Sequence, residues 1–135
     1  MKLLDPILAW HDDIARIRQD LHAHPELAYE EFRTSNLVAT RLEEWGVEVH
    51  RGLAGTGVVG VIQGRGDSTR AIGLRADMDA LPMQEINTFA HASTIPGKMH
   101  GCGHDGHTAM LLSAARYLAQ TRDFDGRVIV IFQPA

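Results

Sequence analysis

The run His100-Gly101-Cys102-Gly103-His104-Asp105-Gly106-His107 gathers three of the chain's eight histidines, its single cysteine and an aspartate. Cys102 and His104 stand two residues apart, so in an extended or looped segment both side chains can point at one centre. A thiolate and an imidazole are ligands of the kind that hold zinc, manganese or nickel. Gly101, Gly103 and Gly106 remove side-chain bulk and permit positive φ, which lets the backbone close around an ion. A Gly-rich helix entry with a buried thiol and surface histidines would account for one such residue, but not for this density of donors. Asp77 and Asp79 form a second candidate pair, two apart at the carboxyl end of a strand, where open α/β sheets keep their chemistry. A turn cap before Leu81-Pro82 explains Asp79 equally well.

The elements that would position these groups follow from pattern. Asp5-Pro6 opens a helix with Asp as N-cap and Pro at the first helical position. Ile7, Trp10, Ile14, Ile17 and Leu21 give it one apolar face, with Arg16, Arg18 and Asp20 toward solvent, and Pro25 ends it near His24. His22 and His24 read as surface residues of a polar turn. A second helix spans about Glu30 to Trp45, with Phe32, Leu37, Val38, Leu42 and Trp45 inward and Gly46 closing it.

Val47-Glu48-Val49 alternates like a strand and Val58 to Ile62 reads as a buried one. Gly52 to Gly57 is a loop and Gly64 to Ser68 a turn, so the flanking strands should form a hairpin at one side of the sheet. Gly55-Thr56-Gly57 lacks the lysine and helix of a phosphate loop. Ala71 to Ala76 is the strand that delivers Asp77 and Asp79. Met83 to Lys98 is a long loop without periodicity, of a length that suggests function. A helix from the histidine cluster to about Gln120 and a strand from Arg127 to Phe132 complete an α/β layered domain with a largely parallel centre.

The 135 residues suit one domain, and a formal net charge of −4 without a basic run argues against nucleic acid. One cysteine excludes an internal disulfide and fits a reducing cytoplasm. Asp5, Pro6 and Asp12-Asp13 interrupt any signal-like apolar core, and no stretch is long enough to span a bilayer. The expectation is a cytoplasmic protein without nucleic-acid or membrane partners.

Three stretches, Leu21-His22-Ala23-His24-Pro25-Glu26-Leu27, Leu74 to Pro82 and Gly97 to Ala109, resemble the M20 family of metallopeptidases. The likeness is to its amidohydrolase subfamily of hippurate hydrolases and plant auxin-conjugate hydrolases, and it covers almost the whole chain. It implies a three-layer zinc-aminopeptidase-like catalytic domain, a separate lid and dimerisation domain, and hydrolysis of the amide of small N-acyl amino acids. It also implies two divalent metals, with manganese, zinc and nickel all open. Cys102 and His104 would be ligands, and Asp79 would orient a ligand from behind the metals. Asp77, Asp105 and His107 would play supporting parts. Gly101 stands where relatives carry Ala.

In that family, the motif matching Ile131 to Ala135 continues into two glutamates, the general base and a further ligand. Residues 1–135 are therefore expected to be the N-terminal part of the catalytic domain, without a lid and inactive alone. A non-catalytic metal-binding or interaction module of the same fold is the alternative. A thiol enzyme built on Cys102 lacks a clear base and orienting acid. With later strands absent, Arg127 to Phe132 would lose cover along Val128, Val130 and Phe132, and the free sheet edge would favour self-association.

Overall fold

A computed structural model describes residues 4–135. Its elements run α1 (Asp5–Ala9), α2 (His11–Ala23), α3 (Phe32–Glu44), β1 (Glu48–Leu53), β2 (Gly57–Gln63), β3 (Ala71–Asp77), α4 (His104–Thr121) and β4 (Arg127–Gln133). The four strands form one mixed sheet in the order β1-β2-β4-β3. β1 and β2 are the hairpin, antiparallel across the Gly52 to Gly57 segment. The strands on either side of the Gly64 to Ser68 turn do not pair. β4 lies between them, antiparallel to β2 and parallel to β3.

Strand alternation divides the sheet into two faces. Val58, Ile62, Ala76, Val128, Val130 and Phe132 point one way and join Leu21, Val38, Leu42, Leu112 and Ala115 of the helices in a single buried core. Full burial of side chains of this size contributes roughly 1.5–3 kcal/mol each. Val59, Val61, Ile129 and Ile131 alternate to the opposite face and are only half-buried. The described helices thus supply one of the two helical layers expected around the sheet. Gly60 leaves room for the core side chains packed against it: a Cβ there would lie 2.8 Å from Val130 Cγ2, 3.0 Å from Val47 Cγ1 and 3.3 Å from Leu42 Cδ1 of α3.

Several expectations change. The strand expected to lose cover is interior, because β2 and β3 flank β4, and Val128, Val130 and Phe132 are 6%, 0% and 0% exposed. The outer strands are β1 and β3, and on β3 Ile72 is 58% exposed. The first helix is two, broken at Trp10, whose φ of −101° and ψ of 2° leave the helical range. The break brings the Trp10 ring against the Arg116 guanidinium, 4.4 Å from the ring centroid, while Arg116 also bonds Asp13 at 3.0 Å. Leu4, not Asp5, occupies the N-cap position of α1.

Phe32, expected inward, opens α3 and is exposed, and Thr34 is buried in its stead. Arg18, expected in solvent, bonds the buried Asp105, and Asp20 holds Arg33 through both carboxylate oxygens. His22 is not a surface residue; it is 4% exposed.

Candidate metal centre

β3 ends at Asp77, and the chain continues through the buried Met78 to Asp79. The parallel neighbour fixes this end: Asp77 lies opposite Gln133 and the Met78 N–H donates to the Gln133 carbonyl at 3.1 Å. Across from it stands the first turn of α4, entered through Gly103 at φ 84°. Of the three glycines in the motif, only Gly103 uses positive φ. Gly101 provides room instead, since a Cβ there would lie 2.9 Å from Met83 Sδ, and Gly106 is part of the helix. Thr108 Oγ1 donates to the Asp77 carbonyl at 2.9 Å, tying the helix to the strand end.

His104 and His107 are three apart on α4 and therefore share a face, with ring centroids 5.5 Å apart. His107 Nδ1 lies 2.7 Å from Asp77 Oδ1, and His104 Nε2 lies 3.5 Å from Asp77 Oδ2. Donor atoms of Asp77, His104 and His107 all fall within 4.8 Å of one another. On the far side of the His104 ring, Nδ1 donates to Asp79 Oδ1 at 2.8 Å and faces the Asp79 carbonyl at 2.9 Å. Those acceptors fix the proton on Nδ1 and leave the Nε2 lone pair directed toward Asp77, the state a metal-binding imidazole needs.

Burial pushes the Asp77 carboxyl up, but the hydrogen bond from His107, its backbone bond, and the charges of His104 and Arg75 outweigh it and hold the group below its ordinary value. Arg75 Nη1 touches Asp77 Oδ2 at 3.0 Å. Asp77 is thus an anion at neutral pH.

Cys102 is exposed in the turn ahead of α4 and is not one of the three converging side chains. Asp105 points away from them into the protein, where it is 1% exposed and bonds Arg18 and His22. Sequence reading missed the company Asp105 keeps. Buried around it lie His22, Glu85 and His100, with both ring nitrogens of His100 and Asp105 Oδ1 lacking a partner. The signal was present in Leu21-His22, where the histidine follows directly in the apolar rhythm of α2. Desolvation dominates at His100 and lowers its pKa to about 4, so the ring is neutral at pH 7.

Two imidazoles and a carboxylate form a nitrogen and oxygen donor set that suits zinc, manganese or nickel. With a second-sphere acceptor already placed behind His104, the residues present fit a divalent metal.

Residues 73–135 match the family model described as Peptidase family M20/M25/M40. Over all 135 residues the chain is 47% identical to a hippurate hydrolase of Campylobacter jejuni, of which it covers 35%. It is 50% identical over 125 residues, 92% of its length, to IAA-amino acid hydrolase ILR1-like 5 of Arabidopsis thaliana, covering 28% of that protein. Among solved structures it resembles the Bacillus subtilis YXEP protein, a dinuclear metal binding peptidase from the M20 family, with a TM-score of 0.90 and 43% identity. That match covers 95% of this chain and 36% of the other. The chain spans about a third of the length of the curated relatives it matches. The likeness to a dinuclear peptidase and the converging donors support divalent-metal binding. Over almost its whole length the chain is thus similar in sequence and fold to a part of M20-family hydrolases and peptidases, and residues 73–135 carry the family match.

Proposed function

We propose that this chain supplies part of the metal cage of an M20 amidohydrolase that cleaves the amide of N-acyl amino acids. The observation that carries the reading is His104, held at Nδ1 by Asp79 with Nε2 turned toward Asp77 and its neighbour His107. Names of relatives agree with the substrate class: one is a hippurate hydrolase and others are IAA-amino acid hydrolases.

Cys102, His104, Asp77 and His107 are the residues that would hold metal. Cys102 reaches the same turn from two residues upstream of His104, and its exposure leaves the sulfur accessible. Asp79 orients His104 through the bond to Nδ1. Thr108 and Arg75 fix the backbone and carboxylate of Asp77. Bound divalent ions, two in number by the family pattern, supply Lewis-acid polarisation of the scissile carbonyl and activation of water.

The glutamate pair that would follow Ala135 lies outside these 135 residues. General-base assistance contributes ~100- to 10,000-fold, so the isolated polypeptide is expected to show no amidase activity on benzoyl-glycine with manganese or zinc. A chimera that continues from Ala135 into a relative's Glu-Glu segment and beyond is the test. Metal-dependent hydrolysis of acylated amino acids by the chimera, reduced in Cys102→Ser and partly restored by excess manganese, is the expected result. A soluble, metal-loaded chimera that stays inactive across a panel of acylated amino acids refutes the reading.

A further inference from the structure

Behind the metal centre runs a buried chain of alternating charge that the proposed reaction does not use. Asp105 Oδ2 receives Arg18 Nε at 2.8 Å and His22 Nδ1 at 2.9 Å. His22 Nε2 lies 3.1 Å from Glu85 Oε1. The second Glu85 oxygen accepts the Ser93 N–H at 2.6 Å, and Asn87 Nδ2 donates to Oε1 at 2.9 Å. Both His22 nitrogens face carboxylates. Burial raises the Glu85 pKa, but the bonds from Asn87, Ser93 and His22 outweigh it and hold the group down to about 2.

The chain joins three segments. His22 and Arg18 belong to α2, Glu85 to the loop between Leu81 and Met99, and Asp105 to the first turn of α4. Thr94 adds a stitch, its N–H and Oγ1 both bonding the Ala23 carbonyl at the end of α2. Asp105 lies one residue after His104 and two before His107. At about 100° per residue its side chain leaves the helix on the side away from theirs. A bond that pulls Asp105 inward therefore sets the rotation at which His104 and His107 face Asp77.

We propose, on the metal-centre reading above, that Glu85, His22 and Asp105 are positioning residues that lock the first turn of α4 in the orientation at which His104 and His107 meet Asp77. None of the three is itself one of the converging donors. Outer partners of metal ligands change affinity by about 10- to 100-fold when lost, and a lock on two ligands at once belongs in that range.

Cobalt titration of the chain, read by competition with a chromophoric chelator and by the visible spectrum of the bound ion, tests this. His104→Ala marks loss of a ligand. Val38→Ala, at a fully buried site on α3, marks a general loss of stability. Glu85→Gln and His22→Gln are expected to bind cobalt about 10- to 100-fold more weakly per folded molecule, while Val38→Ala keeps wild-type affinity. If His22→Gln does not fold, Asn87→Ala, which removes one bond to Glu85 from the loop side, is expected to weaken binding in the same direction. Hydrogen exchange gives a metal-free reading: the His107 amide, bonded to the Gly103 carbonyl at 3.1 Å, should exchange faster in Glu85→Gln than in Val38→Ala. Wild-type affinity and exchange in Glu85→Gln and Asn87→Ala, beside a wild-type chain that binds cobalt, overturn the positioning role alone. A wild-type chain that binds no cobalt overturns the metal-centre reading and the positioning role with it.

Discussion

Asp79 offers the sharpest test of how the centre is built, because its two acceptors on His104 are separable. The side-chain oxygen stands 2.8 Å from His104 Nδ1 and the backbone carbonyl 2.9 Å. Asp79→Asn keeps an amide oxygen for the bond but removes the charge. Asp79→Ala removes the side-chain acceptor and leaves the carbonyl, so the Nδ1 proton and hence the Nε2 lone pair survive in both variants. The loss should therefore stop short of losing a ligand. A tenfold change in affinity corresponds to about 1.4 kcal/mol, which matches the net worth of one hydrogen bond to a charged group. Asp79→Asn is expected near ~10-fold weaker metal binding and Asp79→Ala nearer ~100-fold. Competition titration with zinc or cobalt measures both, and His104→Ala sets the floor. Affinity unchanged in Asp79→Ala would refute the claim that this carboxylate tunes His104. Loss in Asp79→Asn as complete as in His104→Ala would show that Asp79 is itself a ligand.

Gly101→Ala should change stability by less than about 1 kcal/mol, since the added methyl meets the mobile end of Met83. Gly103→Ala, at φ 84°, should cost about 1–2 kcal/mol; chemical denaturation of both variants checks the contrast, and equal costs would contradict it. The depressed His100 pKa makes the neutral ring part of the native state, so its contribution is complete above pH 6.5 and is lost as pH falls toward about 4. His100→Phe should flatten the stability profile across that window in urea melts at stepped pH; an unchanged slope would assign the dependence elsewhere. The free β3 edge should make the isolated chain self-associate with concentration. Ile72→Lys, which places a charge on that edge, should shift it toward monomer in light scattering, and a wild-type monomer at all concentrations would count against the idea.

The sequence carried the elements wherever one physical signal acted alone. Val58 to Ile62 and Arg127 to Phe132 are β-branched runs between turn residues, and they became β2 and β4. Pairing order was less legible. No local pattern says that β4 enters between β2 and β3, because the choice depends on where α4 returns the chain. Once inserted, β4 is an interior strand like β2, and the outer strands of the sheet are β1 and β3. The helix break at Trp10 was hidden for a similar reason: periodicity continues through it, and the competing gain is the contact with Arg116, distant by more than a hundred residues.

At the site, spacing singled out the turn ahead of α4 as a candidate but assigned its members by motif alone. Asp77 and His107 come together only because β3 ends level with the first turn of α4, a relation between two segments separated by the whole Leu81 to Met99 loop. His22 shows the limit most clearly. A histidine beside a proline turn looks like solvent-facing punctuation until Asp105 and Glu85 approach it from two directions in the fold. Sequence statistics treat a buried histidine between two carboxylates as rare because each charge alone is costly to bury. Arg18, Asp105, His22 and Glu85 pair in sequence, with Asp105 Oδ1 left without a partner, and separating any one of them from the rest is costly. On the proposed reading, polar burial of this kind holds the first turn of α4 to a single rotation, which an apolar contact between smooth surfaces does not specify.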